Sequence, residues 1–360
     1  MYQVWRKRLL SLSNFNILYY SALILAVAVI VYGGIKIIKT PYAGFFWAFS
    51  SGEIYQIDPD TKATGLLSIN DKVLAVNGLG PKEGMVFPGQ QIGDSVEFII
   101  QRGQQRLSVS LELVAQPVNT LIENLAPLAI GLSFWFSALL IIFWAQAKPI
   151  SRLLSLFLMM MSLILSTGTL SGYGNPWAVT SFRFLMWIIG PLTLHTHARF
   201  IEQAKSQRFQ IFLIFSYSGA VILGFLQTWS IAYNFPIASI FTQLVFGWVA
   251  LHLVSVILIL IRGFYTPQYE EGRYRMGILT LGISISFALF TVTDLTPKIF
   301  LQEIAYPNEF TFLSLLIIPA SYGYAIFRQQ LIPIEQKVNR SAVIFIVGAV
   351  LTPPDFITQI

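Results

Sequence analysis

The residues with chemistry to offer are few: three histidines, no cysteine, and an arginine set inside an apolar run. His195 and His197 stand two apart in one apolar stretch, and His252 stands in another. Residues two apart on a helix differ in direction by about 200°. His195 and His197 therefore cannot grip one metal ion, and beside Arg199 they read as interfacial histidines in a headgroup zone. His252 falls nearer the middle of its stretch, where a buried ring needs a hydrogen-bond partner on another helix. Arg183 lies a few residues inside its stretch and either snorkels outward or pairs with Asp294 at the end of a later stretch. No histidine is followed by Glu, so the His-Glu-x-x-His zinc helix of an intramembrane metalloprotease is absent. Gly131-Leu132-Ser133-Phe134 lacks the second glycine of a serine intramembrane protease. No catalytic residue, metal site or cofactor is expected from these residues.

The elements that would carry these side chains are set by the solvent. The chain has 360 residues, 55% apolar and 11% charged. Soluble domains carry roughly 25% charged residues, so lipid must be the medium for most of this chain. The net charge of +6 then belongs to loops and does not indicate nucleic-acid binding. About eight apolar segments reach the ~19 residues that span a bilayer: 16–38, 121–144, 153–171, 178–198, 209–228, 236–262, 276–294 and 309–327. A ninth begins near Ser341. The first follows Arg6, Lys7 and Arg8, but is too long for a cleaved signal core and reads as a retained anchor. The eight Trp and 15 Tyr, Trp135, Trp144, Trp187 and Trp248 among them, fit interfacial belts, with a ligand cage as the sharper alternative.

Loop charge orients the chain. With the N-terminus in the cytoplasm, the inner set comprises Arg6, Lys7, Arg8, Lys148, Arg152, Arg199, Lys205, Arg208, Arg262, Arg273, Arg275, Arg328, Lys337 and Arg340, which is 14 of the 23 Lys and Arg. The short outer loops hold only Lys298, as the positive-inside rule requires. A bacterial inner (plasma) membrane location, multi-pass, is expected.

Residues 41–116 differ in kind. Val96, Phe98 and Ile100 alternate along one strand, and Leu107, Val109, Leu111 and Leu113 along the next. Gln101-Arg102-Gly103-Gln104 forms the turn between them, and Asn77-Gly78 marks another. A small β-rich domain, extracytoplasmic, is expected here.

The stretch from Gly65 and Leu66 through Asn70-Asp71 to Asn77-Gly78 resembles the bacterial PDZ pattern: a short helix ending in Gly-Leu, then Gly-Asp, then an apolar strand closing on Asn-Gly. Asn70 stands where that family usually has Gly. Gly44-Phe45-Phe46-Trp47 sits where PDZ domains place the loop that binds a peptide C-terminus. There, glycine lets backbone N–H groups converge on a carboxylate and the next strand edge accepts the peptide.

Further on, Tyr324 to Arg328, Ile334-Glu335 and Asn339-Arg340 resemble the cytoplasmic connector of competence-type, PDZ-containing, multi-helix sensor histidine kinases. The order of one helix, an outer domain and a bundle is similar too. The resemblance implies a mainly α membrane protein, divided as 1–40 cytoplasmic N-terminus and anchor helix, 41–116 PDZ-like domain, 117–328 seven-helix bundle, and 329–360 connector and start of a further helix. It also implies a sensory, signal-transduction role in a two-component system. The implied partners are membrane lipid, a peptide or protein C-terminus at the outer domain, a cytoplasmic kinase or response partner, and a second copy in a homodimer. No kinase sequence lies in these 360 residues, so the chain would be the input module. The rival reading is a PDZ-containing membrane scaffold or quality-control factor without signalling.

Overall fold

A computed structural model describes residues 14–47, 52–81, 87, 89–144, 149–173, 175–200, 206–233, 238–265, 270–296 and 313–327. The connector residues Arg328, Ile334, Glu335, Asn339 and Arg340, and the further helix expected from Ser341, lie outside the described residues. The chain is mainly helical. In order come α1 (Asn14–Lys39), β1 (Phe45–Trp47), β2 (Ile54–Ile57), a 3₁₀ turn (Lys62–Gly65), β3 (Lys72–Val76), β4 (Ser95–Arg102) and β5 (Gln105–Glu112). Then follow α2 (Val118–Trp144), α3 (Pro149–Gly172), α4 (Pro176–Phe200), α5 (Gln207–Ala232), α6 (Ala238–Tyr265), α7 (Glu270–Phe290) with a π turn over Thr291–Leu295, and α8 (Ile317–Phe327).

Among the described residues, six helices are long and apolar enough to cross a membrane: Tyr19–Lys39, Val118–Ile142, Ile150–Gly172, Pro176–Arg199, Gln207–Ile231 and Gln243–Gly263. This is a multi-pass membrane protein. The last two of the eight expected spans coincide with shorter apolar helices, Leu279–Thr293 and Leu313–Tyr324. Bulky apolar side chains such as Ile214, Phe215 and Phe225 on α5, and Leu251 and Leu258 on α6, face outward. Water would penalise such a surface, whereas hydrocarbon accepts it.

The described residues divide into two compact units, one within Met1–Val31, Leu128–Ser166 and Phe182–Ile360, the other Tyr32–Pro127 with Thr167–Ser181. The second unit holds the β domain, built as an antiparallel β1–β2 pair and an antiparallel β3-β4-β5 sheet. Its core joins Phe45, Trp47, Ile54, Val73, Val76, Phe87, Val96, Phe98, Ile100, Leu111 and Leu113. The period-2 faces expected for β4 and β5 are these buried side chains, while Leu107 and Val109 are half-buried. Both expected turns form. Asn77 and Gly78 take φ of 47° and 77°, and Val76 and Leu79 exchange backbone hydrogen bonds around them, the two-residue hairpin that needs left-handed backbone. Arg102 pairs with Gln105 across Gly103 at φ 60°.

In the first unit, the helices share one core through Phe134, Phe157, Trp187, Val249, Phe287 and Tyr322. Several hydroxyls within the spans are satisfied on their own helices: Ser166 Oγ donates to Ser162 O, Thr193 Oγ1 to Ile189 O and Thr196 Oγ1 to Leu192 O. Lipid offers no alternative partner. Ser133 Oγ donates to Ile130 O at 2.7 Å, so its hydroxyl serves the helix and is not presented as a nucleophile.

Candidate functional site

Two places gather side chains beyond packing. The first is the start of the β domain. Gly44 has φ 87°, and a Cβ there would collide with the Thr61 side chain. Its carbonyl accepts from Asp58 N at 2.9 Å and Thr61 Oγ1 at 3.2 Å. Glycine at 44 is thus required by the turn and by Thr61. Phe45 and Trp47 are buried, at 1% and 4% exposure, with Phe45 edge-on to Phe98. Phe46 is half-buried, stacked near Tyr55 and Tyr42. β1 pairs with β2 along one edge; among the described residues no strand pairs with its other edge. Residues 48–51, which follow β1 in sequence, and residues 82–86 lie outside the described residues.

Asp71 anchors the neighbouring turn. Its Oδ2 accepts from Ser68 N at 2.8 Å and Arg102 at 2.6 Å, and its Oδ1 accepts from Arg102 Nε at 2.9 Å. The carboxylate is buried while Arg102 reaches it from the β4 end. Arg102 holds the carboxyl below its ordinary value by hydrogen bonding, burial opposes, and the Ser68 amide helps. Asn70 sits at φ 71°, a left-handed backbone that Asn tolerates nearly as glycine does. That accounts for Asn at this position of the motif. In the sequence Arg102 reads only as a turn residue, because nothing in its neighbourhood announces a partner 31 positions away.

The second place is a layer of histidines inside the helical unit. His197 is fully buried, among Phe157, Phe287 and Tyr322. This corrects the headgroup reading of that residue: it looks inward because α8 covers it. Its Nδ1 meets Thr193 O at 2.6 Å and its Nε2 meets Tyr322 Oη at 2.8 Å. His252 repeats the arrangement, with Nδ1 on Trp248 O and Nε2 on Ser216 Oγ, both at 2.8 Å. A carbonyl can only accept, so Nδ1 donates in each ring, and Nε2 accepts the hydroxyl proton of a different helix. Both rings are then complete in the neutral state. His195 is half-buried and faces Tyr217 at 3.4 Å. All three histidines therefore join α4 or α6 to a hydroxyl on a second helix. Above this layer, Trp248 Nε1 donates to Trp187 O at 3.0 Å and Trp187 Nε1 to Gln227 Oε1 at 2.7 Å.

Arg183 is half-buried on α4, 5.9 Å from the Phe182 ring. Among the described residues it forms no ion pair, and the side chain of Asp294 lies outside them. Among the described residues no three His, Asp or Glu side chains gather into a metal site. Nothing in the sequence marks Ser216, Tyr322 or Gln227, or gives Arg102 a role beyond its turn. The only available signal was that a polar group placed in an apolar run needs a partner.

Compared with protein families, curated proteins and solved structures, the chain matches none.

Proposed function

We propose that the chain is a sensory module of a bacterial inner membrane. It takes up a peptide or protein C-terminus, or another extracytoplasmic ligand, and relays the event to a cytoplasmic output domain or partner of the histidine-kinase type. The β domain is PDZ-like and lies outside; the N-terminus and the connector 328–340 lie inside, as loop charge indicates. The observation that carries this reading is the edge of β1, which directly follows the Gly44 turn and has no strand beside it among the described residues. An extended peptide gains main-chain hydrogen bonds on such an edge. The pairing of β1 with β2, the turn at Asn70-Asp71 and the Asn77-Gly78 hairpin support the PDZ-like assignment.

Relay needs a ligand that favours one of two arrangements. α8, the last described helix before the connector, is held by the Tyr322–His197 link, which supports α8 as the element that moves. The experiment uses the full chain in nanodiscs with Tyr324→Cys carrying an environment-sensitive dye; the protein has no other cysteine. Peptides with apolar C-termini are added as free acids and as amides. Free acids should bind and change the dye signal, and amides should not. Deleting 45–115 should abolish the response. Binding without any change at 324 would favour the scaffold reading, and a response unaffected by the deletion would end the proposal.

A further inference from the structure

Three hydrogen-bond donors lie toward the end of the helical unit where α4 begins and α5 ends, with no acceptor among the described residues to receive them. Gln227 is 0% exposed, and its Oε1 accepts from Trp187 Nε1. An indole N–H can only donate, so this contact fixes the amide orientation. Gln227 Nε2 consequently points elsewhere, and it is buried with no partner. Thr228 Oγ1, on the next residue, is also buried with no partner. The third donor is Arg183, one helical turn before Trp187 on the same face of α4.

α4 and α5 run antiparallel, with His195 opposite Tyr217 and Phe184 against Gly224 and Phe225. That register brings Arg183 level with the turn of α5 that carries Gln227 and Thr228. A water molecule could satisfy one amide hydrogen, but among the described residues it would leave the guanidinium without a counter-charge. An ionisable side chain within a span is retained where something pairs with it. A group with two or more anionic oxygens answers all three donors together.

We propose that Arg183, Gln227 and Thr228 form a binding site for an oxyanion, a carboxylate or phosphate, at the head of an amphiphile. A membrane lipid and a lipophilic acid share this chemistry. The inference is independent of the sensory reading, because binding itself is measured.

Purified full chain in dodecyl maltoside is titrated with dioctanoyl phosphatidylglycerol, with decanoate, and with uncharged dioctanoylglycerol. Native mass spectrometry counts adducts and thermal melting reports stabilisation. At least one charged probe should bind and raise the melting temperature, and the uncharged one should not; which charged probe binds identifies the source. Arg183→Gln and Gln227→Glu should each weaken binding roughly tenfold or more. Gln227→Glu keeps the oxygen that Trp187 needs and replaces only the donor. Arg183→Lys retains the charge and should bind within about threefold of the parent. Equal binding of dioctanoylglycerol, unchanged binding in the Gln and Glu variants, or equal loss in the Lys and Gln variants would overturn the assignment.

Discussion

Asp71 shows how much one carboxylate can organise. It receives the Ser68 amide and two guanidinium hydrogens, so it locks a turn to the end of a strand. Asp71→Ala should destabilise the β domain by about 1–3 kcal/mol, seen as faster protease cleavage between residues 41 and 116 in the full chain. Because the folded carboxyl is held below its ordinary value, its stabilisation is complete above about pH 4 and is lost as pH falls through the depressed value. Cleavage should therefore accelerate below about pH 4 in the parent and change less in Asp71→Ala. In the helical unit, Tyr322→Phe removes the proton that His197 Nε2 accepts and should cost about 1–2 kcal/mol. Adding His197→Phe should cost much less than it does alone, and a coupling energy near zero in that double-mutant cycle would dismiss the link.

Between elements, glycines decide which helices may touch. A Cβ at Gly190 would lie 3.0 Å from His252 Cγ, so the His252 side chain of α6 packs directly on the α4 backbone there. Gly190→Leu should force them apart, break the Trp248–Trp187 hydrogen bond and lower stability by about 1–3 kcal/mol. Gly34→Ala, which meets nothing within 4 Å, is the control, and equal melting temperatures for the two variants would discount the contact. The elements themselves were legible beforehand. Alternation marked β4 and β5, Gly103 marked the turn between them and Asn77-Gly78 the one after β3, and of about eight apolar runs six coincide with helices long enough to span among the described residues. What could not be read were pairings set by tertiary approach: Tyr322 with His197 is 125 positions apart, and Arg102 with Asp71 is 31. No periodicity encodes such distances. Likewise Phe45 and Trp47, expected as peptide contacts, serve the core on one side of β1, and among the described residues no strand pairs with its other edge.

At the scale of the molecule, the proposed orientation rests on loop charge and is open to direct measurement. Since the chain lacks cysteine, single substitutions report cleanly. Gln104→Cys should react with a membrane-impermeant maleimide on intact cells, and Ser206→Cys only after permeabilisation; the reverse pattern would invert the topology. The paired imidazoles and hydroxyls carry a consequence for how such a protein could be driven. Each is uncharged, so exchanging one hydroxyl for another would carry no net charge across the bilayer. The transmembrane voltage, worth about 2.3 kcal/mol per charge per 100 mV, would do no work on that exchange. A rearrangement of this layer would answer to contact and chemistry alone, and would run alike in energised and de-energised cells.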